Sequence, residues 1–397
     1  MNSSQKNHKR CRNRRTRPLT WNTIAVCALG IVVLFVAKPL GFIGIFGLGN
    51  GLVPGEEPGQ IQEPDPPVAG PQLSPLEEKR AAKLSRLAER PNELGKVPII
   101  MYHVIGEPES EWVRTPDNFR RDLERYYELG YSLVPLQAYL RGEIDLPAGT
   151  SPLVITFDDA TIGQLRFVTR KYAEDQGARK PLEHKVPDPD SAVGILLEFS
   201  QEHPDFGHAA SFFVDFPAPF EVPDEVHAKL NFLLECGMEI GNHTYNHRNL
   251  RDVPADMIQM ELGKLSAEIQ KLTGQRPLSL ALPYGSYPRD PANKQYLMAG
   301  EYQGIAYENL GVLLVGAEPA LSPYHVSFNR AAIPRIRGSE EELSKWLDYL
   351  DSSGSRYVSD GQADTIAVPE RQLDKLAEAF SGTYDLVVLP EQAETSP

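Results

Sequence analysis

Cysteine is almost missing from this sequence, with 3 among 397 residues. Cys11 and Cys27 fall near the N-terminus, so only Cys236 belongs to the main body. No disulfide can staple that body, and no CxxC zinc motif exists. Cys236, flanked by Leu233-Leu234 and Met238–Ile240, reads as a small core hydrophobe. Acidic residues are missing from the first 50 positions. Residues 1–20 instead hold Lys6, Lys9, Arg10, Arg12, Arg14, Arg15 and Arg17. The remainder is therefore more acidic than the net charge of -14 indicates. Phosphates repel such a body, which argues against nucleic acid as a partner.

A long unbroken apolar run is also lacking. Ile24–Ala37 is shorter than the ~20 residues a membrane helix needs, and Lys38 and Pro39 interrupt it. Counted from Trp21 to Phe46, the stretch is long enough to cross a bilayer. The sequence thus predicts a basic cytoplasmic tail at 1–20 and a single-pass transmembrane signal-anchor at 21–48, with the body outside the cell membrane. A cleaved secretory signal is the competing reading, although no small-x-small site follows the run. Residues 49–75 are rich in proline, glycine and acid without periodicity and read as a solvated spacer. Ser74–Arg90 is helix-forming, with Pro75 suited to the first turn. Together 49–96 form a spacer and short helical stalk.

What is present beyond Val97 is ordinary globular composition, 41% hydrophobic and 24% charged, long enough for one large domain. Short apolar runs alternate with amphipathic ones. Expected strands are Pro98–Tyr102, Leu153–Phe157, Ala210–Val214, Met238–Gly241, Leu278–Leu282, Gly304–Ala306 and Val312–Val315. Expected helices are Thr115–Leu129, Asp224–Glu235, Pro254–Thr273, Asp290–Ala299 and Ser339–Asp351. Apolar strands without alternation are buried on both faces, as in a parallel sheet with helices outside. Seven such units predict an α/β fold of barrel type within 97–390. Residues 161–208 read as an insertion over the barrel mouth. Residues 352–390 read as an appended edge containing a short helix at Pro369–Phe380.

Leu153–Phe157 ends abruptly in Asp158-Asp159. At the carboxyl end of a barrel strand, polar residues face the active site, although a helix N-cap pair also reads this way. After the next apolar strand but one comes Gly241-Asn242-His243-Thr244-Tyr245-Asn246-His247. Histidines four apart lie on one helix face and can share a metal. The zinc-peptidase motif has a glutamate directly after its first histidine. Here Thr244 takes that place, so the base comes from Asp158 or Asp159. Two imidazoles and one carboxylate leave coordination positions open for water and substrate, and the second carboxylate is free to accept a proton. Leu282-Pro283-Tyr284-Gly285 follows another strand at the same rim and also fits a plain turn. His103 ends the first strand, where a structural role is the commoner one.

Taken in order, Thr156–Ala160, Ser211–Val214, His243–His247 and Leu282–Gly285 resemble the polysaccharide deacetylases, carbohydrate esterase family 4. The resemblance spans roughly Val97 to Trp346. It implies a distorted (β/α)7 barrel that removes N-acetyl groups from N-acetylglucosamine polymers. It further implies Asp158 as general base, Asp159, His243 and His247 as metal ligands, and the Tyr284 N–H as an oxyanion donor. Zinc is the default cation for such a set, with cobalt, nickel and manganese as alternatives. Three departures stand out. Ala160 replaces the usual glycine, the arginine expected before Pro-Tyr is missing, and no late Leu-x-His supplies an acid. The Tyr102-His103 pair resembles the motif that provides this acid in the poly-N-acetylglucosamine branch, which points to His103. Arg335 is a candidate for the missing arginine, with an unrelated ion pair equally open. The expected partner is an acetylated glycan. A different amidase or esterase, or a non-catalytic glycan-binding module, are the rival readings.

Overall fold

The computed structural model describes residues 73–172, 182–380 and 382–390. The basic tail, the signal-anchor and most of the spacer lie outside these residues. Among the described residues no helix is long and apolar enough to cross a membrane.

Eight parallel strands form one curled sheet. They are β1 Ile99–Tyr102, β2 Tyr131–Leu133, β3 Ser151–Phe157, β4 Ser211–Val214, β5 Glu239–Asn242, β6 Ser279–Ala281, β7 Gly311–Leu313 and β8 Ile336–Arg337. The order is β7-β6-β5-β4-β3-β1-β8, with β2 on the early half of β3. Ile333, just before β8, bridges to Leu313 of β7. One short stretch therefore spans the gap between the two ends of the sheet. The central strands are buried along their whole length, which is why they show no alternation in the sequence.

The helices are α1 Pro75–Ala88, α2 Pro116–Glu128, α3 Leu136–Arg141, α4 Ala192–Glu202, α5 Val226–Glu235, α6 Ala255–Thr273 and α7 Glu340–Ser352. Thr115 caps α2 through the Asn118 N–H, and Ser74 forms a capping box with Glu77 on α1. Both starts follow the expected rule that a short hydroxyl side chain satisfies orphan amides. Beneath the sheet face, Phe157 stacks on Phe212 at 4.9 Å between ring centres.

Several expectations need correction. The 74–90 helix is docked, not free-standing. Arg80 is buried, donating to the carbonyls of Tyr127 and Tyr131, to Ser132 Oγ and to Asp205. Within 161–208, the apolar run at Ala192 is helix α4, packed in the outer layer against α2. Among the described residues of this stretch, Phe167–Tyr172 pairs antiparallel with Leu182–Pro187, and Phe167 packs edge-on against Phe232 of α5. Gly304–Ala306 is no barrel strand. It belongs to an antiparallel hairpin, Ala299–Tyr302 with Ile305–Glu308, turned by Gln303-Gly304 at φ 50° and 80°. Two consecutive left-handed residues are what a tight hairpin turn demands. The expected helix at Asp290–Ala299 is a 3-10 stretch, Pro291–Leu297. The expected helix at Pro369–Phe380 is two such pieces, Glu370–Lys375 and Glu378–Phe380. Thr365–Pro369 and Asp385–Leu389 pair separately from the main sheet.

Candidate metal centre and active site

Every candidate residue lies at the carboxyl-terminal rim of the sheet. His103 follows β1, Asp158 and Asp159 follow β3, His243 follows β5, and Tyr284 lies beyond β6. Arg335 reaches the same rim from the chain entering β8.

Asp159 Oδ1 lies 3.1 Å from Nε2 of His243 and 3.1 Å from Nε2 of His247. The three potential ligand atoms fall within 4.8 Å of one another. His243 is buried, and its Nδ1 donates to the Ala281 carbonyl at 2.9 Å. That bond fixes the tautomer that leaves Nε2 free for a cation, the usual arrangement behind a metal-binding imidazole. The donor set, convergence and tautomer therefore fit a divalent metal. The histidines do not share a helix face, as their spacing predicted. They lie on an irregular loop, with Thr244 at φ 62° and His247 at φ 50°. Asn242 braces this loop by accepting from the Thr244 N–H at 2.9 Å.

Asp158 lies beneath, fully enclosed. Arg335 grips both its oxygens, Nη1 to Oδ1 at 2.7 Å and Nη2 to Oδ2 at 2.6 Å. Nε of the same guanidinium donates to the Leu314 carbonyl at 2.7 Å. Burial is the largest single influence on Asp158 and pushes its pKa up. Arg335 and the histidines together outweigh it, and the net direction is down. For Asp159 burial again pushes up, while the His243 and His247 imidazoles beside it carry it well below the carboxylate range. His243 moves up, since the two carboxylates overcome the effect of its burial. His103 moves down because burial prevails over the same two carboxylates. Its ring packs 4.7 Å from Trp112, whose other neighbour is the Arg337 guanidinium.

Tyr284 is 65% exposed, with φ 58°. Its ring lies 4.9 Å from His247. The turn's two hydrogen bonds are made by Gly285 and Ser286, so the Tyr284 N–H is not spent in the turn. Among the described residues eight non-glycine residues have positive φ, and five of them (Asp159, Ala160, Thr244, His247 and Tyr284) belong to these loops. Backbone strain is thus concentrated where the site is built.

Sequence reasoning missed two neighbours. Asp215 directly follows β4 and interacts with His243, His247 and Asp159. The strand-end rule that singled out Asp158 could have found it. Gln164 and its buried amide gave no signal at all.

The polysaccharide deacetylase family model matches residues 207–299. That segment includes His243, His247 and Tyr284 and stops short of the two aspartates. No curated protein matches the chain. Among solved structures, the Streptococcus pyogenes deacetylase PplD in complex with acetate is 19% identical, with a TM-score of 0.46. The match covers 64% of this chain and 98% of that one. A polysaccharide deacetylase from Bacillus cereus is 16% identical over 64% of this chain and 69% of that one, with a TM-score of 0.45. IcaB from Ammonifex degensii is 15% identical over 64% and 97%, with a TM-score of 0.43.

Proposed function

We propose, on the match of residues 207–299 to the polysaccharide deacetylase family model, that this protein removes N-acetyl groups from an N-acetylglucosamine-containing polysaccharide. The observation that carries this reading is the convergence of two sets. Asp159, His243 and His247 supply cation ligands, while a buried, arginine-clamped Asp158 and His103 stand beside them.

A divalent cation held by Asp159, His243 and His247 would polarise the amide carbonyl and make water a better nucleophile. Zinc is the first choice for two imidazoles and a carboxylate. The Arg335 clamp keeps Asp158 ionised, and each of its oxygens retains a second lone pair for a proton. Asp158 takes one proton from the attacking water, leaving hydroxide to form the new C–O bond. The Tyr284 N–H faces the developing oxyanion, a contact of the kind worth several kcal/mol in such reactions. Breaking the C–N bond then requires a proton on the departing amine. His103 hands it over after taking one up; burial holds its pKa down, and Asp158 and Asp159 oppose that effect without reversing it. Acetate and a free sugar amine result.

We place this body outside the cell membrane, held by the 21–48 segment, on the strength of the basic residues before that segment. A cell-wall or secreted glycan suits that position. The test is acetate release from a panel of acetylated glycans, xylans and small amides by zinc-loaded protein. We expect acetate from N-acetylglucosamine polymers, and Asp158→Asn to abolish release while retaining zinc. Release confined to xylan or small amides, or normal turnover by Asp158→Asn, would sink the assignment.

A further inference from the structure

The connection after the Asp158-Asp159 turn contains a glutamine with no assigned role. Gln164 is completely buried. Its Nε2 donates to the carbonyl of His103 at 2.6 Å and to the carbonyl of Asp158 at 2.6 Å. An amide nitrogen has two N–H groups, and here both are spent on the backbone of the two residues that move protons. Its Oε1 has no partner, so the side chain is used as a double donor alone. Leaving an oxygen buried and unpaired costs stability, and packing gives no reason to choose an amide here.

The position of these bonds is telling. β1 and β3 run in register up to Tyr102 and Phe157. The last bond between them is the Asp158 N–H to the Tyr102 carbonyl at 3.0 Å. Past that point Gln164 supplies the link. Its own backbone is fixed on several sides. Its N–H donates to Thr161, and its carbonyl accepts from Val193 at the start of α4. Gly163 lies so close to the strand after His103 that a Cβ there would fall 1.8 Å from the Ile105 carbonyl.

We propose that Gln164 is a positioning residue that sets the separation of His103 and Asp158 by tying their carbonyls together. This rests on the deacetylase reading, in which Asp158 receives the first proton and His103 delivers the second. A displacement near 1 Å in such a pair can cost about 100-fold in rate.

The test uses the full chain with Gln164→Met, which keeps the volume and loses the donor. Zinc content, kcat and KM are measured for wild type, Gln164→Met, His103→Ala and the double variant. The His103 imidazole resonances are followed by NMR in zinc-free protein. We expect kcat per zinc-loaded molecule to fall about 10- to 100-fold at unchanged KM. The His103 resonance should shift or broaden, and the penalty should shrink in the His103→Ala background, because coupled residues are not additive. A kcat within twofold of wild type with an unmoved His103 resonance overturns the proposal. So does an equal penalty in both backgrounds. Should Gln164→Met fail to fold, Gln164→Asn, which keeps the amide but draws it back by one methylene, carries the same comparison. A wild type that releases no acetate defeats the deacetylase reading instead, and the NMR arm still judges Gln164.

Discussion

The two halves of the site are built on opposite principles. The ligand half is partly open and held by strained backbone: Asp159 is 35% exposed, His247 29%, and both have positive φ. The base and its arginine partner are sealed. Asp158 and Arg335 are at most 1% exposed and joined by two short hydrogen bonds. An exchangeable cation and a substrate need an open side. A base that must stay ionised under a low-dielectric cover needs a partner that never loses its charge, and arginine is that residue. The difference teaches where each half is vulnerable. The sealed half fails when charge is left unpaired, and the open half fails when protons compete.

The largest effect should come from breaking the sealed half. Arg335→Met leaves a buried carboxylate without its cation, which typically costs about 3–5 kcal/mol. Asp158 would then take a proton to escape that cost and cease to be a base. We expect a large loss of stability in urea unfolding and at least a ~1,000-fold loss of kcat, combining base loss with misplacement. Adding Asp158→Asn to Arg335→Met should restore much of the stability and none of the activity. If the double variant were no more stable than Arg335→Met, the ion pair would not be what holds this half together.

The open half should be broken by acid. An imidazole binds a cation only when neutral, so protons and zinc compete. The pKa of His243 lies above the ordinary histidine value because the carboxylates facing it outweigh its burial. Zinc affinity should therefore weaken as pH falls, starting above pH ~6.5, the usual histidine midpoint. The slope should approach about tenfold per pH unit for each proton displaced. Zinc titrations between pH 8 and pH 5.5 measure it, and a flat affinity across that range would refute the ligand set.

The same comparison explains how much of the molecule was legible in the sequence. Asp158, Asp159 and His243 were visible because polar residues terminating apolar strands are anomalous. The eight-stranded sheet was visible to the extent that its strands are apolar throughout. β8, with 2 residues, was too short to register, while the Gly304 hairpin shared the apolar composition of the sheet strands without their position. The Arg335–Asp158 pair joins residues 177 apart and was legible only through the family resemblance, which offered Arg335 for the missing arginine and left an unrelated ion pair equally open. The histidine spacing pointed to a helix, whereas left-handed residues in a loop bring the two rings together. Gln164 was invisible for a different reason. Its partners are backbone carbonyls, which every residue carries.

The smallest expected effect tests the strain itself. Ala160 follows the metal-side aspartate at φ 42°, and its carbonyl accepts the Phe220 N–H at 2.6 Å. An L-residue there works against its own Cβ, at a cost of about 1–2 kcal/mol. Glycine avoids that strain but loses more chain entropy on folding, roughly 0.5–1 kcal/mol. Ala160→Gly should therefore shift stability by no more than about 1 kcal/mol, toward greater stability, with zinc affinity unchanged. A loss of 2 kcal/mol or more in urea unfolding would mean that the Ala160 methyl packs more favourably than its backbone is strained. The open half would then be held by side-chain contacts, as the sealed half is.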